Sequence, residues 1–282
     1  MKFFKIKSYA KVNLSLNIVG KKKSKLHRIE SLVSFIGLHD LIYIRSISTK
    51  KNKIYFQGKF SKRISKNNTV SKLLQLMERK NILEDKKYEI KIIKNIPKKS
   101  GMGGGSMNAA SLINYFVKKK ILELNKETLI KLSNSISSDV VLGIDPKNII
   151  LSSNGRVTKF KNKLNYHVLV VKPNFGCSTK LVYSKVKNFS KVQYNIPSKN
   201  LFKTKNIINS NNDLEKIAFK KYPILKKLQL FLSNLPNIVF VRMSGSGSSI
   251  VAYFHSKRAT DIAANQFRRK FKKYWYITSK TI

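Results

Sequence analysis

The stretch "IPKKSGMGGGSMNAAS", Ile96 to Ser111, decides how the chain is read. Before it, "YEIKIIKNIP" alternates Tyr88, Ile90 and Ile92, the period of a strand. Within it, Gly101, Gly103, Gly104 and Gly105 crowd together. After it, Ala109, Leu112, Ile113 and Phe116 share one helical face. The order is strand, glycine loop, helix. Glycines admit positive φ and let backbone N–H groups face an anion with no Cβ in the way. The following helix adds unpaired N–H groups and about half a positive charge at its N-terminus. Such a segment suits a phosphate, and a plain strand-to-helix turn needs fewer glycines. Two common phosphate patterns nevertheless fail. G-x-x-x-x-G-K-[ST] ends in Lys, where this chain has Ser106, Met107 and Asn108. G-x-G-x-x-G begins well at Gly101 and Gly103 but meets Ser106 at its last glycine.

The totals narrow the class. A chain of 282 residues allows one large domain or two modest ones, with length enough for a real core. No apolar run approaches the ~20 residues needed to span a bilayer. The start, "MKFFKIKSYAKVN", is basic and lacks the apolar run of a signal peptide. Cys177 is the sole cysteine, so neither an internal disulfide nor a cysteine zinc site is expected. These features point to the cytoplasm and to no membrane. The formal net charge is +45, which raises the question of nucleic acid. The lysines, however, are scattered through every kind of segment and come with many Asn and Ile, residues that share A/T-rich codons. No basic arm, zinc-finger spacing or RNP-like motif accompanies them. The charge reads as composition bias, with no specific nucleic-acid partner, and its field still draws anionic small molecules.

Elsewhere, "FFKIKSYA", "NLSLNIVG", "LIYIRSI" and "KIYFQGKF" read as strands. "TVSKLLQLMERKN" has helical spacing at Val70, Leu73, Leu74 and Met77, with Thr69 as its expected N-cap. "ETLIKLSNSI" is a helix, followed by the irregular "SSDVVLG". "NIILSS" and "YHVLVVKP" are strands, and "STKLVYSKV" is a short helix capped by Ser178. After a polar stretch from Asn188 to Asn211, "NDLEKIAFKKYPILKKLQLFLSN" is helical with a break at Pro223. "IVFVRMSGSGSSIVAYF" is two strands joined by a glycine-serine turn; a helix and a last strand, "YWYITSK", close the chain. Strands and helices mix without regular βα alternation, so the fold class is α+β.

The glycine stretch resembles the P-x-x-x-G-L-G-G-G-S-S-N-A-A motif of the GHMP kinases. Met102 stands for the Leu and Met107 for the second Ser. "YAKVNLSLNIVGKKKSKLHRIESL", "SSDVVLG", "NDLEKIAFKKYP" and "MSGSGSSIVAYF" resemble four further motifs of the family, in the same order and across nearly the whole chain. The resemblance implies a two-domain GHMP kinase architecture. A ribosomal protein S5 domain 2-like domain would occupy residues 1–155 and carry the ATP loop and the catalytic residues. A ferredoxin-like domain would occupy residues 156–282. It implies an ATP-dependent kinase of a small-molecule alcohol, a monomer or weak homodimer.

The resemblance also assigns residues. Lys99, Ser100, Gly101, Met102, Gly103, Gly104, Gly105, Ser106, Met107, Asn108 and Ala109 would wrap the ATP phosphates. Lys11 and Asp139 would be the catalytic cation and base, in a reaction that asks mainly for positioning and charge stabilisation. Mg²⁺ is implied by the chemistry, and no protein metal cage is expected, since phosphates and water supply most of its ligands. The family's G-Y-H motif holds a cytosine; here Lys25, Leu26 and His27 stand in its place, after Ser24. Asn13, His27 and Tyr183 are therefore the expected substrate residues, with Tyr183 as the stacking ring. Mevalonate- or homoserine-type kinases are the alternative within the family, and a catalytically inactive basic nucleic-acid-binding relative is the alternative outside it.

Overall fold

The computed structural model describes residues 2–22 and 26–282, so Ser24 and Lys25 lie outside the described residues. In chain order the elements are β1 (Phe4–Lys21), β2 (His27–Ile47), β3 (Lys53–Gln57), α1 (Thr69–Arg79), β4 (Lys87–Ile93), α2 (Gly104–Lys118), α3 (Lys126–Ile136) and α4 (Val140–Gly143). There follow β5 (Asn148–Leu151), β6 (Val157–Phe160), β7 (His167–Lys172), α5 (Thr179–Ser184), a 3₁₀ turn (Lys199–Phe202) and α6 (Thr204–Ile208). The chain ends with α7 (Leu214–Lys221), α8 (Pro223–Ser233), β8 (Phe240–Met243), β9 (Ile250–Phe254), α9 (Lys257–Lys270) and β10 (Trp275–Lys280). The mixture is α+β, as the sequence predicts. Two compact units form. Among the described residues, one holds residues 2–10, 38–98 and 103–146; the other holds residues 11–22, 26–37, 99–102 and 147–282.

In the first unit, β4 pairs antiparallel with the end of β2 and parallel with β3. The register sets Ile42 against Ile92 and Ile44 against Ile90. With period two, these four side chains share one face, and all are fully buried. Against that face lie Val70, Leu73, Leu74 and Met77 of α1 and Ala109, Leu112, Ile113 and Phe116 of α2. These are the helical stripes visible in the sequence. The cap of α1 differs from expectation: Asn68, not Thr69, is the N-cap. Its side chain accepts from the Val70 and Ser71 amides, and Ser71 reciprocates to the Asn68 amide, a complete capping box.

In the second unit, a four-stranded antiparallel sheet runs in the order β10-β7-β9-β8. Leu169, Val171, Ile250, Ala252 and Phe254 of that sheet meet Leu214, Leu225, Leu228, Ala263 and Phe267 from α7, α8 and α9. Pro223 breaks the long helical run as expected and starts α8 at its first turn, where a missing N–H costs nothing. The β5–β6 hairpin pairs with Ser31–Val33 of β2. Among the described residues no helix is long and apolar enough to cross a membrane.

Candidate active site

The glycine loop is built from both of its ends. On the strand side, β4 delivers Lys94 one step beyond Ile90 and Ile92, on the inward face. Lys94 is buried and ion-paired with Asp40, which is fully buried. The other Asp40 oxygen accepts the amides of Asn95 and Ile96 at 2.7 and 2.8 Å. A carboxylate so fixed anchors the segment leading into the loop. On the helix side, Gly104 and Gly105 already form the first turn of α2, and Gly103, at φ 67°, is its N-cap. A glycine cap has no side chain to satisfy the helix's own N–H groups. Asn68, Asn125, Ser178 and Ser256 do so for α1, α3, α5 and α9. The first-turn amides of the 15-residue α2 therefore have no side-chain cap, an arrangement that suits an anion.

Between these ends, Gly101 sits at φ +77°. A Cβ there would lie 1.8 Å from the Ser244 carbonyl oxygen, so only glycine fits. The turn from Ser244 to Ser249 holds this part of the loop. Ser244 Oγ donates to the Gly101 carbonyl at 3.0 Å, Ser249 N–H to Ser100 at 3.1 Å and Ser248 N–H to Lys99 at 3.3 Å. The glycine-serine turn is thus more than a hairpin connection: it grips the loop residue by residue.

Met107 and Ala109 have buried side chains. The Met107 thioether lies against Gly143, where any Cβ would come within 2.9 Å of its sulfur. Methionine in place of serine therefore packs α2 on α4. Ser106 Oγ donates to Ser137 Oγ at 3.1 Å. That bond and the Met107–Gly143 contact tie the glycine helix to the "SSDVVLG" segment. Within that segment Asp139 is the N-cap of α4 and is half-buried.

Beside Gly105 lies a cavity of about 240 Å³, walled by Phe56, Ile64, Asn68, Thr69, Lys94 and Asn108 among others. Thr69, the first residue of α1, turns its Oγ1 to the Gly105 carbonyl and donates to it at 2.6 Å. Asn108 is 1% exposed, and its Oδ1 has no hydrogen-bond partner. An orphaned buried acceptor in a cavity wall costs stability unless a ligand meets it. Of the lining residues, Gly105 and Asn108 are among the expected site residues. The signal for Lys94 was present, a lysine at the inward position of an alternating strand, but Asp40 and Thr69 carry no local mark.

In the second unit, β1 places Lys11, Asn13 and Ser15 on one face by its period of two. Lys11, 5% exposed, donates to Asn13 Oδ1 at 2.8 Å; Asn13 Nδ2 donates to Ser31 Oγ at 2.8 Å, and Ser31 to the Ser15 carbonyl at 2.5 Å. The lysine head is thereby fixed, not solvated. His27 and Tyr183 also meet, their ring centroids 5.3 Å apart at 46°. His27 Nε2 is buried with no hydrogen-bond partner. Burial first, and the charge of Lys21 second, pull its pKa below the usual histidine value. The shift favours the neutral ring, and Nε2 is its unpaired nitrogen. Leu26 beside it is 66% exposed. Ser178 caps α5, which carries Tyr183, as the sequence predicts. No group of three or more His, Cys, Asp or Glu side chains that could hold a metal occurs among the described residues.

With this geometry in place, the chain was compared with known proteins. The family profile for the GHMP kinases N terminal domain matches residues 68–147, and that for GHMP kinases C terminal matches residues 196–273. A 4-diphosphocytidyl-2-C-methyl-D-erythritol kinase of Pelagibacter ubique is 61% identical over 282 residues, covering 100% of both chains. One from Clostridium kluyveri is 33% identical, covering 95% of this chain and 96% of its own. Among solved structures, a 4-(cytidine 5'-diphospho)-2C-methyl-D-erythritol kinase superposes with a TM-score of 0.78 at 22% identity. It covers 98% of this chain and 99% of its own, which supports the fold.

Proposed function

The chain belongs to the GHMP kinases, and from that premise we propose that it transfers the γ-phosphoryl group of ATP to the 2-hydroxyl of 4-diphosphocytidyl-2-C-methyl-D-erythritol. This is a step in making isoprenoid precursors, carried out in the cytoplasm. The likeness along the whole chain to the Pelagibacter enzyme carries the reading. The His27–Tyr183 pair gives it physical content. A neutral imidazole with an unpaired buried nitrogen suits the hydrogen-bonding edge of a cytosine, and Tyr183 supplies a face to stack on, a contact of about 1–3 kcal/mol. Mevalonate and homoserine have no base to place there.

The triphosphate would lie on the glycine loop, with the α2 amides and dipole facing its charge. The cavity beside Gly105 would take the nucleoside, where Asn108 Oδ1 gains a donor. Asp139 accepts the proton of the attacking hydroxyl, and Lys11 supplies the buried cation that steadies developing charge; both roles rest on the motif resemblance. Mg²⁺ would neutralise phosphate oxygens. The hydroxyl of Ser106 at the start of α2 is a protein group suited to it, which fits an ion that needs one or two protein ligands. The basic surface draws both anionic substrates, and the reading includes no specific nucleic-acid partner. The test is an ADP-release assay with diphosphocytidyl-methylerythritol, mevalonate and homoserine in parallel. Turnover of the first alone is expected; turnover of only the other two would reject the proposal.

A further inference from the structure

The segment "NDLE", Asn212–Glu215, touches none of the reacting groups assigned above, yet its side chains hold the backbone of other segments. Asn212 is 3% exposed and uses its whole amide group. Nδ2 donates to the carbonyls of Met243 and Gly245, each at 2.8 Å, and Oδ1 accepts the Leu214 amide at 3.0 Å. Glu215 Oε1 accepts the Met243 amide at 2.7 Å. Residue 243 is thus gripped at both its N–H and its C=O, and Gly245 at its C=O. Asp213 fastens the other side, accepting the Ile18 amide and the Ser190 hydroxyl, each at 2.7 Å. Backbone bonds from Leu16 to Asn211 and from Asp213 to Leu16 complete the attachment to β1.

What is gripped matters. Met243 and Gly245 frame Ser244, the residue that donates to Gly101 and lies 1.8 Å from where a Gly101 Cβ would be. The Asn13 amide also meets Ser244 Oγ, at 3.4 Å. The turn is buried, Ser246 bonds to Thr179 and Ser248 to the Phe175 carbonyl, but its two glycines, Gly245 and Gly247, have positive φ, and the backbone on either side of Ser244 is held by Asn212 and Glu215. We propose that Asn212 and Glu215 are positioning residues: they fix the Ser244–Ser249 turn, and through it the Lys99–Met102 half of the glycine loop, so that the loop is preorganised for the nucleotide phosphates. The inference rests on the reading that this loop holds ATP. Preorganisation of this kind shows in ligand affinity of the folded protein, because a loop 1 Å out of place loses its fit.

The test is calorimetric titration of the full chain with MgATP, at a temperature where circular dichroism shows each variant folded. Asn212→Asp keeps the shape and the acceptor for Leu214 but sets an oxygen against two carbonyls. Glu215→Leu removes the acceptor for Met243, and Glu215→Gln restores one. Asn212→Asp and Glu215→Leu are expected to raise the Kd for MgATP about tenfold or more, with Glu215→Gln within about threefold of wild type. A folded Asn212→Asp or Glu215→Leu protein with wild-type affinity and only a lowered melting temperature would overturn the inference alone. No MgATP binding by the wild-type chain would overturn the nucleotide reading and this inference with it.

Discussion

Gly101→Ala is the substitution whose cost the structure specifies best. Two penalties add. Alanine at φ +77° sits in the left-handed region, which costs an L-residue roughly 1–2 kcal/mol. The new Cβ would also lie 1.8 Å from the Ser244 carbonyl oxygen and 2.8 Å from its carbon, both backbone atoms that cannot rotate away. Restoring a contact of about 3 Å requires the loop and the turn to part by roughly 1.2 Å. A displacement near 1 Å at a positioning element costs about 100-fold in rate. Gly155→Ala is the control: its φ is +86°, but nothing lies within 4 Å of the new Cβ. Both variants are expected to lose a few degrees of melting temperature. Only Gly101→Ala is expected to lose about 100-fold in kcat/KM in a coupled ADP assay. If the two variants had kcat/KM values within about threefold of each other, the close approach of turn and loop would not matter to function, and the reasoning would fail.

Three further outcomes follow from the site. Met107→Ser should destabilise the protein by about 2–4 kcal/mol in a urea titration, because it removes the buried thioether packed on Gly143, while the KM for ATP stays near wild type; a stable variant with much tighter ATP binding would show that the serine of the family motif belongs at the phosphates. Asn108→Ala removes an unpaired buried acceptor, so the unliganded protein should melt no lower, yet its Kd for ATP should rise about fivefold to tenfold; a lowered melting point with unchanged affinity would contradict the cavity's role. His27 has a folded pKa depressed below its unfolded value, so the neutral ring's contribution is present above about pH 6.5 and is lost as pH falls through the lower folded value. The KM for the cytidyl substrate should therefore rise on acidification below that point in wild type but not in His27→Gln, and parallel profiles would remove His27 from base recognition.

Much of this was legible because it is periodic. The stripes of α1 and α2 and the alternation of β4 follow from burial on one face, and a Lys and an Asn two residues apart on a strand must share a side, as Lys11 and Asn13 do. The glycine loop was legible because backbone geometry leaves few other residues for such a turn. What escaped was set by tertiary contact. Thr69 looks like a cap, but its hydroxyl is drawn to the Gly105 carbonyl and Asn68 takes the capping. The Asn188–Asn211 stretch reads only as polar, yet it contains a 3₁₀ turn and α6, and its Ser190 and Tyr194 are tied to Asp213 and Glu30. The packing role of Met107 could not be read because its partner, Gly143, lies more than thirty residues away in sequence. The role of "NDLE" could not be read at all from local pattern, since its polar groups bond to backbone atoms, which leave no side-chain signature.

The central claim is a regiospecific phosphoryl transfer with Asp139 as the base. The most direct measurement is phosphorus NMR of the product formed by the purified chain from ATP and 4-diphosphocytidyl-2-C-methyl-D-erythritol, with Asp139→Asn in parallel at equal ATP occupancy. The account predicts a new monophosphate ester on the 2-hydroxyl, and a rate at least about 100-fold lower in the variant. Phosphate at another hydroxyl, no product from the wild-type chain, or near-normal turnover by Asp139→Asn would contradict it.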